Sequence, residues 1–211
     1  MKSKSVIKIC MATVLLMFAV ALVFTKLIPY LNFQKYKAAN GDLIFQSLPL
    51  KDLVLAIEGL SESPYSHCGI VVEREGEWFV LEAIGPVKYT PLYEWVQRGR
   101  EESFAVYRLK DNTGVKPFIA AAEKYLGKPY DVRYRMDEEK IYCSELIYKA
   151  YFQAVGIKLG ELKTLGEMPW QEYTKTIRKY EQGAPPLKRQ MITPANLARA
   201  KELELNYQQN Y

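Results

Sequence analysis

One histidine, His67, occurs in the whole chain, and Cys143 lies well downstream of it. A cysteine becomes a nucleophile when a base takes its proton, and imidazole is the usual base. Here that base has only one source. Cys143 also opens a run, Cys143–Val155, with Leu146, Ile147, Ala150 and Ala154 at helical spacing and Gly156 as the stop. A helix N-terminus carries partial positive charge and unpaired N–H groups, which favour a thiolate. The same groups, that of Ser144 among them, can stabilise an oxyanion during acyl transfer.

The third candidate is Glu82, an acid inside an otherwise apolar run, Trp78–Ala83. Ser66–Glu73 reads as a strand, Glu75-Gly76 as a hairpin turn, and Trp78–Ala83 as the returning strand. If that turn sets the register, Glu73 faces Trp78 and Gly69 faces Glu82. Glu82 and His67 are then diagonal neighbours on one face, and Gly69 has no side chain to stand between them. Glu82 would orient the imidazole as the third member of a triad. A slip of one residue would instead turn Glu82 to the opposite face, where an edge-strand acid meets water. Cys68 follows His67 directly, so it projects to the opposite face, into the core, and is set aside as nucleophile.

These residues sit in a pattern of short strands and helices. Asp42–Gln46 and Phe104–Leu109 read as further strands. Leu53–Leu60, Leu92–Arg98, Pro117–Leu126, Pro169–Gln182 and a segment from Thr193-Pro194 to Ala200 read as helices. Hairpins mixed with helices predict an α+β fold, with an antiparallel sheet packed on the helix that carries Cys143. The expected division is residues 1–30 as a hydrophobic segment and 38–205 as the catalytic domain.

Residues 1–41 hold six lysines and no acid, so the net charge of +5 leaves −1 for the remainder. A nucleic-acid footprint belongs on the folded domain, and no basic excess lies there. The lysines flank the uncharged run Ile9–Thr25, which reads as a membrane anchor, or as a signal peptide cut after Ala19-Val20-Ala21. The close spacing of Lys2, Lys4 and Lys8 favours an inside N-terminus and an extracytoplasmic domain, membrane-anchored or secreted. Cys10 starts the apolar run and reads as a small hydrophobe, which leaves Cys68 and Cys143 as the one pair that could bridge. No cluster of His and Cys suggests a metal site, and no cofactor is expected.

Four segments in order carry a resemblance: Gly41-Asp42-Leu43-Ile44-Phe45, Ser66-His67-Cys68-Gly69-Ile70-Val71, Leu126-Gly127-Lys128-Pro129-Tyr130-Asp131 and Tyr142-Cys143-Ser144-Glu145-Leu146. Thr193-Pro194-Ala195-Asn196-Leu197 resembles a closing motif. Together they resemble the YiiX-like permuted papain-type cysteine hydrolases of the NlpC superfamily, in which the histidine strand precedes the cysteine. The resemblance implies a circularly permuted papain-like fold, with Cys143 as nucleophile, His67 as base and Glu82 as the polar third residue. It also implies that Tyr130 lies near the site, to bind an oxyanion or substrate or to pack. Cys68 stands where the family more often has an aliphatic residue.

Three functions follow as expectations. The first is an amidase or peptidase acting on cell-envelope peptides or acylated amino compounds. The second is a lipid-acting acyltransferase resembling the lecithin:retinol acyltransferase group, whose Asn-Cys-Glu-His-Phe motif is here Tyr-Cys-Ser-Glu-Leu. The third is a binding module without catalysis.

Overall fold

The computed structural model describes residues 2–211, the side chains of residues 2–10 and of residue 26 excepted. Cys10 and Lys2, Lys4 and Lys8 therefore lie outside the described side chains. The chain divides into two compact units, Met1–Lys37 and Ala38–Tyr211.

The first unit is helical: α1 (Lys2–Leu22), one turn of π-helix (Val23–Leu27), then α2 (Ile28–Phe33). Pro29 lacks an N–H and crowds the carbonyl a turn earlier, and the widened π turn just ahead of it accommodates that. Thr25 Oγ1 donates to the Ala21 carbonyl at 2.7 Å. The apolar stretch Met11–Phe33 is long and apolar enough to cross a membrane, and it runs past the Ile9–Thr25 segment expected from sequence.

The second unit is built on a six-stranded antiparallel sheet in the order β4-β3-β2-β1-β5-β8. Its strands are β1 (Leu43–Gln46), β2 (His67–Arg74), β3 (Glu77–Ala83), β4 (Val87–Pro91), β5 (Phe104–Leu109) and β8 (Leu203–Gln209). Two short strands, β6 (Lys163–Thr164) and β7 (Gln190–Met191), pair separately. The helices are α3 (Asp52–Ser61), α4 (Leu92–Arg98), α5 (Val115–Glu123), α6 (Cys143–Val155), α7 (Thr174–Glu181) and α8 (Pro194–Ala198).

The β2–β3 hairpin turns where expected. Glu75 and Gly76 both have positive φ, +54° and +83°, as a tight hairpin of this hand requires. The register runs from Arg74↔Glu77 through Glu73↔Trp78 to Ile70↔Leu81. On one face of the sheet Leu43, Phe45, Cys68, Ile70 and Leu81 join Leu146 and Ile147 of α6 in a single buried cluster. Strand alternation sends Val71, Val80 and Glu82 to the other face, which α4 covers with Trp95.

Five elements differ from the sequence reading. The helix expected over Pro169–Gln182 begins as a 3-10 turn at Gln171–Tyr173 and becomes α only from Thr174. Pro169 removes one early N–H, and the turn tightens instead. The helix expected to reach Leu126 ends at Glu123, and the one expected to reach Ala200 ends at Ala198. Strands β4 and β8, which carry no clear signal, complete the two edges of the sheet.

Candidate active site

α6 starts abruptly because its first turn is capped from within. Tyr142 is extended, and Glu145 in the first turn accepts the Tyr142 main-chain N–H at 3.2 Å. Gly156, at φ +75°, closes the other end. Cys143 is thereby held as the first helical residue, 1% exposed.

His67 opens β2, at the end of the sheet where α6 begins. Its side chain is hydrogen-bonded to both Cys143 and Glu82. Nε2 meets Glu82 Oε2 at 2.5 Å, which leaves Nδ1 as the nitrogen for the thiol. Gly69 clears the path between His67 and Glu82. A Cβ there would lie 2.3 Å from Val80 Cγ1 and 3.4 Å from Glu82 Cβ.

Glu82 is fully buried, which demands full hydrogen bonding. Besides His67, Oε2 accepts from Trp95 Nε1 at 2.9 Å and meets Arg98 Nη2 at 2.5 Å, while Oε1 accepts from Thr90 Oγ1 at 2.6 Å. The Trp95 ring stacks on His67 with centroids 5.9 Å apart. Sequence reasoning did not find Thr90, Trp95 or Arg98. A signal existed for the last two: a buried acid needs a donor, and Trp95 and Arg98 share a helix face at i, i+3.

The electrostatics form one chain. Burial raises Glu82, yet His67 and Arg98 hold it down at about 2. Burial lowers His67, but its bonds to Cys143 and Glu82 overcome that and raise it from 6.5 to about 9. Hydrogen bonding from Cys68, and then from His67, outweighs burial and holds Cys143 well below an ordinary thiol. The favoured state is therefore a thiolate–imidazolium pair beside an ionised carboxylate.

Tyr130 is half-buried, and its hydroxyl lies 3.1 Å from that of Tyr134. Burial and the neighbouring Tyr134 and Cys143 push the Tyr130 hydroxyl well up, so it stays protonated as a donor. Tyr134 was not foreseen. It lies in a loop at φ +53°, with its ring centroid 4.8 Å from that of Tyr142. Ser144, expected as a substrate or oxyanion contact, follows Cys143 in the first turn of α6. Its side chain is fully buried, and Oγ donates to the Ile192 carbonyl at 2.8 Å, which ties α6 to the segment before α8. Only its main-chain N–H remains available to an oxyanion.

An apolar groove shares Tyr134 and Ile192 with the surroundings of the α6 start. Leu53, Ile57, Met168 and Ile177 line it, and Tyr134 and Ile192 form the wall nearest α6. Ile192 also donates its main-chain N–H to Tyr142 Oη at 3.0 Å, and Tyr142 is the residue that precedes Cys143.

A thiol at a helix start, fed from an earlier histidine strand, defines a cysteine hydrolase of the permuted papain type. The chain belongs to the family described as permuted papain-like amidase enzymes, YaeF/YiiX, C92 family, whose model matches residues 37–207. It is 33% identical over 174 residues to the uncharacterized protein YiiX of Escherichia coli (strain K12), covering 80% of this chain and 85% of that protein. A crystal structure of the metalloprotein yiiX from Escherichia coli O157:H7 superposes with a TM-score of 0.78 at 30% identity, covering 82% of this chain and 99% of that one.

Proposed function

We propose that the protein is a thiol amidase that cleaves acylated amino compounds through Cys143, His67 and Glu82. The observation that carries this reading is the single imidazole bonded at once to the helix-start sulfur and to a buried carboxylate. The Cys143 thiolate attacks the amide carbonyl and forms a C–S bond. The oxyanion develops against the main-chain N–H groups at the start of α6, with the Tyr130 hydroxyl as a further donor. The protonated His67 gives its proton to the leaving nitrogen, and the C–N bond breaks. His67, now neutral, takes a proton from water, which attacks the thioester and releases the acid and the thiolate. Glu82 accepts from Nε2 throughout and fixes the ring, while Arg98, Trp95 and Thr90 fix Glu82.

The adjoining groove is nearly wholly apolar, which supports an acyl part of hydrophobic character. It also favours one second reading, transfer of the acyl group to a lipid or amine acceptor in place of water. The apolar N-terminal helix is compatible with a signal anchor or signal sequence, and we place the domain outside the cytoplasm.

The yiiX structure from O157:H7 is described as that of a metalloprotein. Among the described residues no three His, Cys, Asp or Glu side chains gather as a cation site. The buried Glu82 carboxylate already meets a guanidinium. No step above passes through a metal.

The test is to incubate the full-length protein in detergent with N-acyl amino acids of graded chain length, quench with acid and weigh the intact protein. The expected result is a thioester adduct on Cys143, lost in Cys143→Ala, with free acid released in water. Acid release that persists in Cys143→Ala would refute the assignment. Adduct discharge onto added amine or lipid but not onto water would establish the second reading.

A further inference from the structure

Cys68 lies outside the triad, in the buried cluster that also holds Cys143. It follows His67 on β2 and is 0% exposed, while Cys143 is 1% exposed, and both are free thiols in one buried cluster. The Cys68 thiol and main-chain N–H lie close enough to the Cys143 sulfur to help hold it well below an ordinary thiol. The β2–β3 ladder ends at Ile70↔Leu81, while on its other side Cys68 stays opposite Phe45 of β1. Among the three cysteines of the chain, these are the two in the Ala38–Tyr211 unit.

We propose that Cys68 is a resolving thiol that closes a reversible disulfide with Cys143 when a hydroperoxide reaches the site. The Cys143 thiolate attacks one peroxide oxygen, the O–O bond breaks, and hydroxide leaves with a proton from solvent. Cys143 is then a sulfenic acid, oxidised by two electrons. The Cys68 sulfur attacks that sulfur, the S–O bond breaks, and the Cys68 proton leaves with the hydroxide as water. The net change is two thiols and one hydroperoxide to one disulfide, water and the reduced peroxide product. An external dithiol reverses it by exchange.

The roles of the two sulfurs are set by their surroundings. Burial pushes the Cys68 thiol well up, so it stays protonated at rest, whereas Cys143 is the thiolate that meets the oxidant first. A hydroperoxide is smaller than any amide substrate, so the opening of the buried Cys143 that amide cleavage requires also serves a hydroperoxide. The bond masks the nucleophile and shields it from overoxidation, which suits a protein in an oxidising compartment. That masking rests on Cys143 as nucleophile; the bond itself does not.

The experiment treats the full-length protein with hydrogen peroxide, alkylates remaining thiols, and maps peptides with and without dithiothreitol. The expected result is a Cys68–Cys143 linked peptide that dithiothreitol resolves, with Cys143 alkylation restored. Cys68→Ala and Cys68→Val should instead carry Cys143 to a sulfinic acid that dithiothreitol leaves unchanged. Wild-type protein that yields sulfinic Cys143 and no linked peptide would overturn the proposal. Amide cleavage assayed in parallel separates the two readings. A linked peptide without any cleavage by the reduced protein leaves the disulfide standing and removes the amidase. Cleavage without a linked peptide removes the disulfide alone.

Discussion

At the scale of single residues, the site depends on one carboxylate that is fully buried and fully satisfied. Glu82 receives donors from β2, β4 and α4, so three elements converge on one side chain. Replacing it with glutamine keeps the shape but removes the charge that orients and stabilises the imidazolium. Glu82→Gln should lower kcat by about 10²–10⁴-fold with little change in KM. Steady-state kinetics on a cleaved amide checks this; unaltered kcat would remove Glu82 from the machinery.

His67 also carries a stability signature. Its folded value, about 9, lies above its ordinary 6.5, so the folded state holds the proton more tightly than the unfolded state. The resulting stabilisation is complete below pH 6.5 and is lost as pH rises through about 9. The melting temperature should therefore fall across that window in wild-type protein and fall less in His67→Gln. Thermal denaturation followed against pH decides it.

At the scale of elements, the hairpin was legible and the sheet edges were not. Glu75-Gly76 is a turn signal with one mechanical meaning, positive φ at both positions, and it fixed which residues oppose each other. From that, the shared face of His67, Gly69 and Glu82 followed. β4, in contrast, is five residues after Gly85-Pro86, and β8 is a polar edge strand, Leu-Glu-Leu-Asn-Tyr-Gln-Gln. Edge strands need little apolar alternation, so they leave little trace. Missing β4 meant missing Thr90. Tyr134 was illegible for another reason: its placement depends on the path of the Asp131–Lys140 loop, which no periodicity encodes.

Gly69 gives the element-scale prediction. A Cβ at this central strand position collides with Val80 Cγ1 and comes within 3.1 Å of the Leu81 carbonyl. Gly69→Ala should cost about 1–3 kcal/mol through overpacking. That corresponds to about 2–4 °C of melting temperature per kcal/mol for a unit of this size. Cleavage should fall with it as His67 and Glu82 are pushed apart. An unchanged melting temperature would mean that the strands are not so closely opposed.

At the scale of the whole molecule, the chain joins an apolar helical segment to a catalytic unit whose net charge is near zero. The Met11–Phe33 stretch presents exposed Leu15, Leu16, Phe18 and Phe24. Replacing Leu15 and Leu16 with lysine should shift the full-length protein from the membrane fraction to the soluble fraction, because each central lysine costs about 2.5–3.5 kcal/mol on insertion. Fractionation of cells expressing both forms reads this directly. An unchanged membrane fraction would show that this helix is not the anchor.

The central claim is that His67 holds Cys143 as a thiolate, and the pH dependence of Cys143 alkylation by iodoacetamide measures it. Wild-type protein should react already in mildly acidic solution, hold a plateau, and gain rate again near pH 9 as His67 loses its proton. His67→Ala should lose the acidic reactivity and titrate closer to an ordinary thiol. A wild-type profile with a single step near the ordinary thiol value of 9.0, indifferent to His67→Ala, would contradict the account.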